Sequence, residues 1–557
     1  MQKLGLLLFS LFLASCSSYS GENSDLDNSN TSDLALFTTL ETITPNGRSL
    51  SGTETDWYKD AIFYHVWVPS FFDGPDVGTI EGDLKGLIEK LPYLKDELGV
   101  TALWLSPIFN SASGSSNRHN YDVTDHFTVH PALGTNQDLY DLIQAVHTRG
   151  MRIIWDHVPN HVSNQHPWFS ESKNASSSKN KWFIWTSQKP SGFTGFDSFS
   201  DFRGPLNGLY FYALFWDGMP DLNYRNSQVR DAMGNIIIHW LNAGFDGLRV
   251  DAVKYLYEDW SSPTTGYREH PLTYSHFRQI RTQILDNYSE ATLAGGPYPK
   301  FMVAENWDSN RTNLLSYMSK DGSPIFQMTL DFPFAYAAAG LNWADLRSHW
   351  EWVNSTVIPA GGWMGSFLSN HDNVVSRPVT QHGGDSGRVR VATALNLLGL
   401  GTPFIYYGNE IGMTGAAGND INLRTKFNWS TKITQETTPN SLLKWHQALI
   451  QLRKNQGALR RGNYTNLITS KDSEILAFER DFENDKLVVV ISNSSQSQSG
   501  VTITLPSAAT QANTLWGTTG TTVSDLTLSL NSMVPYGVRV IKLGEAEDGS
   551  TAFEDIQ

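Results

Sequence analysis

Four short apolar runs each close in residues that can move a proton or hold a charge. They are Asp156-His157-Val158-Pro159-Asn160-His161, Gly247-Leu248-Arg249-Val250-Asp251, Val303-Ala304-Glu305 and Ser369-Asn370-His371-Asp372. Arg249 and Asp251 are two apart on an extended run, so their side chains share a face, and a guanidinium beside a carboxylate favours the ionised form. Asp251 is therefore expected to be a deprotonated nucleophile. Glu305 follows a purely apolar run and precedes Trp307. A carboxyl among other anions and apolar walls keeps its proton near neutrality, as a general acid must. Each residue alone has an ordinary reading: an Asp at a strand end caps a helix or loop, Arg249 and Asp251 can form a structural ion pair, and His161 or His371 can be a hydrogen-bonded loop residue. The weight lies in four such endings occurring in one order.

What must position them is legible from Asp60 onward, where short apolar runs alternate with amphipathic stretches of helical period, the pattern of parallel strands joined by crossover helices. Strands are expected at 61–68, 101–105, 152–156, 247–251, 301–305, 327–330, 365–369 and 403–406, with helices at 83–98 and 136–149 among the connections. Eight such units close a (β/α)8 TIM barrel, an α/β fold whose active site lies at the carboxyl ends of its strands. The third unit is interrupted by a Trp-, Phe-, Ser- and Lys-rich stretch without either period, read as an inserted loop domain. The helical pattern ends near 455, and alternating runs on either side of Glu483-Asn484-Asp485 predict a hairpin in a C-terminal antiparallel β-sandwich. The domain bounds are 56–161 and 216–455 for the barrel, 162–215 for the insertion, 456–545 for the β domain and 546–557 for an acidic tail.

The 557 residues are 40% hydrophobic, which excludes a disordered chain. A net charge of −15 repels phosphate backbones, and no basic cluster offsets it, so nucleic acid is excluded as a partner. No obligate protein partner is evident either. The single cysteine, Cys16, rules out an internal disulfide and a multi-cysteine metal site. It closes an N-terminal segment in which Lys3 precedes the apolar run Leu4 to Leu13, too short to span a bilayer. Leu13-Ala14-Ser15-Cys16 resembles a bacterial lipoprotein signal, with Cys16 the lipidated residue; an ordinary signal peptide with an incidental cysteine is the alternative. Residues 1–16 are thus expected as signal and 17–55 as a flexible Ser/Asn/Thr-rich tether. The expected location is extracytoplasmic, on a membrane surface. Ser17, where an acidic residue would favour inner-membrane retention, leans toward the outer membrane or cell surface.

These residues resemble the α-amylase family, glycoside hydrolase family 13, from about Asp56 to Leu543. DHVPNH at 156–161, GLRVDAVKY at 247–255, AENWD at 304–308 and FLSNHD at 367–372 look like its four main regions. GVTALWLSP at 99–107, NYDVTDHF at 120–127, MPDLN at 219–223 and GTPFIYYGNEIGM at 401–413 follow in the same order. The resemblance implies Asp251 as nucleophile, Glu305 as acid/base and Asp372 as the carboxylate that distorts and holds the sugar. It places Arg249, His161 and His371 on the same sugar, with Tyr121 stacking on it, Lys254 reaching toward the leaving group and Asp156 among the substrate-binding residues. The implied reaction is retaining hydrolysis of an α-glucosidic bond in starch, glycogen or maltodextrins.

Many members bind Ca²⁺ through the asparagine of the first region and a histidine just after the lysine of the second. Here Asn160 is present and Tyr255 replaces that histidine. A bound Ca²⁺ at Asn160 is the one cofactor expectation, and no organic cofactor is implied. MPDLN looks like that of members intermediate between the oligo-1,6-glucosidase and neopullulanase groups, and does not fix linkage or chain length. An α-glucosidase, a neopullulanase-like hydrolase and a glucanotransferase stay open beside α-amylase. A non-catalytic amylase-like binding protein has no need of Asp251, Glu305 and Asp372 together.

Overall fold

The computed structural model describes residues 37–75, 82–112, 119–189, 201–262, 265–290, 292–372, 374–483 and 485–546. Cys16, the signal, the first part of the tether and all but the first residue of the acidic tail lie outside them. Eight parallel strands close a barrel: β1 (Phe63–Val66), β2 (Ala102–Leu105), β3 (Arg152–His157), β4 (Gly247–Val250), β5 (Phe301–Ala304), β6 (Met328–Leu330), β7 (Trp363–Phe367) and β8 (Thr402–Tyr406). Each pairs with its sequence neighbours and β8 returns to β1. Alternate residues fill the interior: Phe63, Ala102, Ile154, Phe301, Val303, Met328 and Phe404 form one buried cluster, and the rings of Phe63 and Phe404 stack at 4.4 Å. Trp57 and Tyr58 plug the bottom against Phe301. The next inward positions up are Trp104, Asp156 and Arg249, so the period that packs the base delivers charge to the top.

Three expected elements differ in detail. The helix expected at 83–98 is broken: α1 (Leu84–Glu89) is followed by a wide helical turn over Tyr93–Leu98, because Pro92 offers no N–H to continue the ladder. Strand β7 lies two residues earlier than expected. A short helix, Gly457–Arg461, extends the helical part past 455.

The tether ends earlier than 55. From Phe37 the chain is strapped along the crossover helix α2 (Ser227–Ala243). Asn235 accepts from the Glu41 N–H and donates to the Thr39 carbonyl, and Asn242 does the same with Thr44 and Thr42. Asp231 takes the Thr38 N–H, and Arg48 donates to the Ala243 carbonyl. Phe37, Leu40 and Ile43 pack on the core, three apolar residues hidden in a polar composition.

In the insertion, Trp185–Thr186, Phe202–Leu206 and Leu209–Tyr212 form a three-stranded sheet over the barrel mouth. The C-terminal domain is a seven-stranded antiparallel sheet. It contains β9 (Asn463–Thr469), β10 (Ile475–Phe482), β11 (Asp485–Ser492), β12 (Gln498–Ala509), β13 (Ala512–Trp516), β14 (Thr521–Met533) and β15 (Val538–Leu543). It curls on itself so that Val501, Ile503, Leu528 and Leu530 share a core with Ala477, Val488 and Val490. The hairpin is β10 and β11. Arg480 of β10 docks this domain by donating to the carbonyls of Gly399 and Gly462.

Candidate active site

Arg249, fully buried in β4, organises the carboxylates. Its Nη1 donates to Asp156 Oδ1 at 2.5 Å and to Asp251 Oδ1 at 2.8 Å, and its Nη2 lies 2.7 Å from Glu305 Oε1. Three strand ends thus converge on one guanidinium. Just past Asp251, Ala252 adopts φ 48°, a left-handed conformation costly for a residue with a Cβ, and its N–H turns to donate to Glu305 Oε2 at 3.1 Å. The Ala252 N–H thus ties the end of β4 to the Glu305 carboxyl at the end of β5.

The loop after β7 brings His371 and Asp372. His371 Nε2 lies 2.5 Å from the Tyr121 hydroxyl and 3.3 Å from Asp372 Oδ2, and its ring stacks on Trp67. Tyr121 also donates to Asp156 and accepts from Arg249. Asn120, at φ 58°, makes the turn that presents Tyr121, and it donates to the Pro107 carbonyl.

A cavity of about 430 Å³ opens at the carboxyl ends of the strands, lined by Tyr121, His161, Asp251, Glu305 and Asp372 among the sequence-derived candidates. The structure sets the others back. Arg249 and His371 touch the lining residues from behind. Lys254 is buried, with its Nζ 5.0 Å from the ring centre of Trp307, which does line the cavity. Asp156 needs a correction: it is 2% exposed, spends its oxygens on Arg249, Tyr121 and Trp104, and supports those groups instead of meeting the sugar.

Desolvation is the largest effect on Glu305, Asp251 and Asp156. It raises Glu305 to about 8, with Asp251 and Asp372 adding to the rise and Arg249 opposing it. Asp251 is raised too, by burial first and then by Asp156 and Asp372. Arg249 alone therefore does not hold Asp251 ionised, as the sequence suggested, because one cation is shared among three carboxyls. The site relieves this by keeping a proton, and Glu305, with its highest affinity, takes it. Asp251 is then the anion beside Arg249.

Several cavity residues had no role in the sequence reading: His119, Phe332, Asp420 and Arg424. Arg424 pairs with both Asp372 and Asp420. Opposite charges four apart in the segment after β8 were the available signal. The apolar side is formed by Phe215, Trp216, Met219 and Trp307. Trp216 is 47% exposed, and its ring packs against Gly218, where a Cβ would sit 2.2 Å from it.

The residues around Asn160 do not suit a calcium ion. Asn160 Nδ2 donates to Asp221 Oδ2, and Asp221 Oδ1 accepts from the Leu214 N–H, so N–H groups stand where a cation would be. Asn160 Oδ1 is the one unpartnered oxygen of that pair. Burial pushes Asp221 up to about 8, and Asp201 adds to the rise. Among the described residues no three His, Cys, Asp or Glu side chains converge to hold a metal.

A parallel eight-stranded barrel with carboxylates closing its fourth, fifth and seventh strands is the framework of a glycoside hydrolase. Residues 64–462 match the family described as "Alpha amylase, catalytic domain", and the chain belongs to that family. It is 33% identical over 472 residues to "Alpha-amylase 3" of Dictyoglomus thermophilum, covering 79% of this chain and 86% of that one. It is 27% identical to the oligo-1,6-glucosidase of Parageobacillus thermoglucosidasius, covering 78% and 90%, and 29% identical to the trehalose synthase of Thermus thermophilus, covering 79% and 51%. Among solved structures it is similar to an α-amylase from H. orenii, with a TM-score of 0.72, 27% identity and coverage of 87% and 99%.

Proposed function

We propose that this glycosidase is an α-amylase cutting internal α-1,4 bonds of starch, glycogen or maltodextrins with retention. Asp251 attacks the anomeric carbon while Glu305 protonates the departing oxygen; Glu305 then activates the water that opens the glycosyl-enzyme. Asp372 holds sugar hydroxyls as the ring flattens toward the oxocarbenium ion, with His371 supporting it from behind. The observation that carries this reading is the pair of ion contacts from Arg249 to Asp251 and to Glu305, which sets nucleophile and acid facing one cavity. The half-exposed Trp216 on its rim offers a flat apolar platform for a further glucosyl unit.

The competing reading is an exo-acting or transferring enzyme: an α-glucosidase, a neopullulanase-like hydrolase or a glucanotransferase. Incubation with soluble starch, pullulan, maltotriose and trehalose, with product sizes followed from the first minutes, separates them. Mixed oligomers from starch support α-amylase. A single small sugar, or products longer than the substrate, overturns it.

The same proposal places the enzyme on a membrane surface through a lipid on Cys16, with no calcium required at Asn160. Detergent-phase partition lost in Cys16→Ser, and an unfolding temperature unmoved by EDTA, are the expected results.

A further inference from the structure

Asp372 has its own cation. Arg424 sends Nη2 to Asp372 Oδ1 at 3.3 Å and to Asp420 Oδ2 at 3.2 Å, while its Nε donates to the backbone carbonyl of His371 at 3.0 Å. Its guanidinium lies 4.7 Å over the Trp67 ring, the ring on which His371 also stacks. The backbone carrying it is fixed: Ser70 donates to the Arg424 carbonyl, and Tyr406 and Arg377 both donate to that of Leu423. A guanidinium mounted this firmly, touching both the backbone at 371 and the carboxylate at 372, controls where the catalytic loop presents that carboxylate.

The equal division between two carboxylates has a consequence. For Asp372 to accept sugar hydroxyls it must give up part of its bond to Arg424, and leaving a largely buried guanidinium unpaired is costly. Asp420 removes that cost, because the same nitrogen already reaches it. We propose that Arg424 is a positioning residue that aims Asp372 in the free enzyme and passes its charge to Asp420 when Asp372 engages the substrate. This rests on the reading of Asp372 as the carboxylate that holds the sugar. The charged and titratable groups facing Asp372 are His371, Arg424, His119, Tyr121, Tyr406, Asp251 and Glu305.

The test measures kcat, KM and pH profiles on a maltooligosaccharide for R424Q, R424K, D420N, the D420N/R424Q pair and D372N, with unfolding temperatures to show that each variant folds. Misplacement of Asp372 in R424Q is expected to lower kcat about 100-fold with KM changed less than about threefold. R424K restores part of kcat. D420N lowers kcat by trapping Asp372, and the double variant is no worse than R424Q alone. A rise in KM with kcat unchanged would make Arg424 a plain sugar ligand, and additive losses in the double variant would deny the handover; either overturns the proposal. If R424Q and R424K both fail to fold, D420N decides: unchanged kcat overturns it, reduced kcat with unchanged KM supports it. Full activity in D372N would instead remove the role of Asp372 itself.

Discussion

Arg249 Nη2 lies 2.7 Å from Glu305 Oε1 yet directs no N–H along that line, so the contact is an ion pair without a hydrogen bond. Arg249 opposes the proton on Glu305, and burial, the larger effect, overrides it. Glu305→Gln keeps the shape and removes the proton. Loss of general acid catalysis is expected to lower kcat on starch by about 10²–10⁴-fold. An aryl glycoside with a leaving group that needs no proton is expected to keep most of its glycosylation rate, read as a burst of released phenol. Equal losses on both substrates would place the acid elsewhere.

The order of proton affinities sets the working pH. Glu305 is raised to about 8 by burial and by Asp251 and Asp372, so activity is expected to fall as pH rises through that region and the acid ionises. Protonation of Asp251, itself raised by burial and its acidic neighbours, closes the acid side. A bell-shaped kcat/KM profile centred near neutrality follows. A profile flat to pH 9 would show that no buried proton is used.

The barrel was legible because its strands are short apolar runs ending in charge, and the alternation of side chains along each strand puts Ile154 below Asp156 and Val303 below Glu305. The Asp156 reading was not, because a residue on the correct face at the correct strand end can still lie one layer below the cavity, and depth is set by stagger between strands. Asp420 and Arg424 lie in an irregular segment with no period to announce them. The strap from Phe37 was hidden for a different reason: its stability comes from Asn235 and Asn242 on a helix some 200 residues away, and local composition cannot register that.

Gly234 tests the strap. Replacing a mid-helix glycine with alanine ordinarily stabilises a helix by about 1 kcal/mol. Here a Cβ would sit 2.8 Å from the Phe37 ring and 2.9 Å from Leu40. Gly234→Ala is therefore expected to destabilise the fold, by about 1–3 kcal/mol of overpacking less the helix gain, and to expose the segment near Phe37 to protease. Gly234→Ala combined with Phe37→Ala and Leu40→Ala is expected to be less damaged than the strap substitutions alone. Denaturant midpoints measure both, and a stabilised single variant would show that the strap does not bear on α2.

Stability should peak near pH 6.5, because two sets of buried groups pull in opposite directions. Burial lowers His157, His161 and His276 to about 3 and His446 to about 4, and holds His65, His126 and His371 well below the ordinary value. A depressed histidine contributes stability present above its unfolded value of 6.5 and lost as pH falls toward its folded value, at about 1.4 kcal/mol per pH unit for each group. Burial raises Asp221 to about 8 and Glu258 well up, and a raised carboxyl works the other way: its contribution is full below its unfolded value and is lost as pH rises through the folded one. Below pH 6.5 the histidines outnumber these acids and set a falling stability toward pH 4.5. Above it only the acids act, so stability declines toward pH 8. Urea unfolding at half-unit steps from pH 4.5 to 8.5 measures both slopes, and His276→Phe, which removes one buried imidazole, is expected to flatten the acid slope while leaving the alkaline one unchanged.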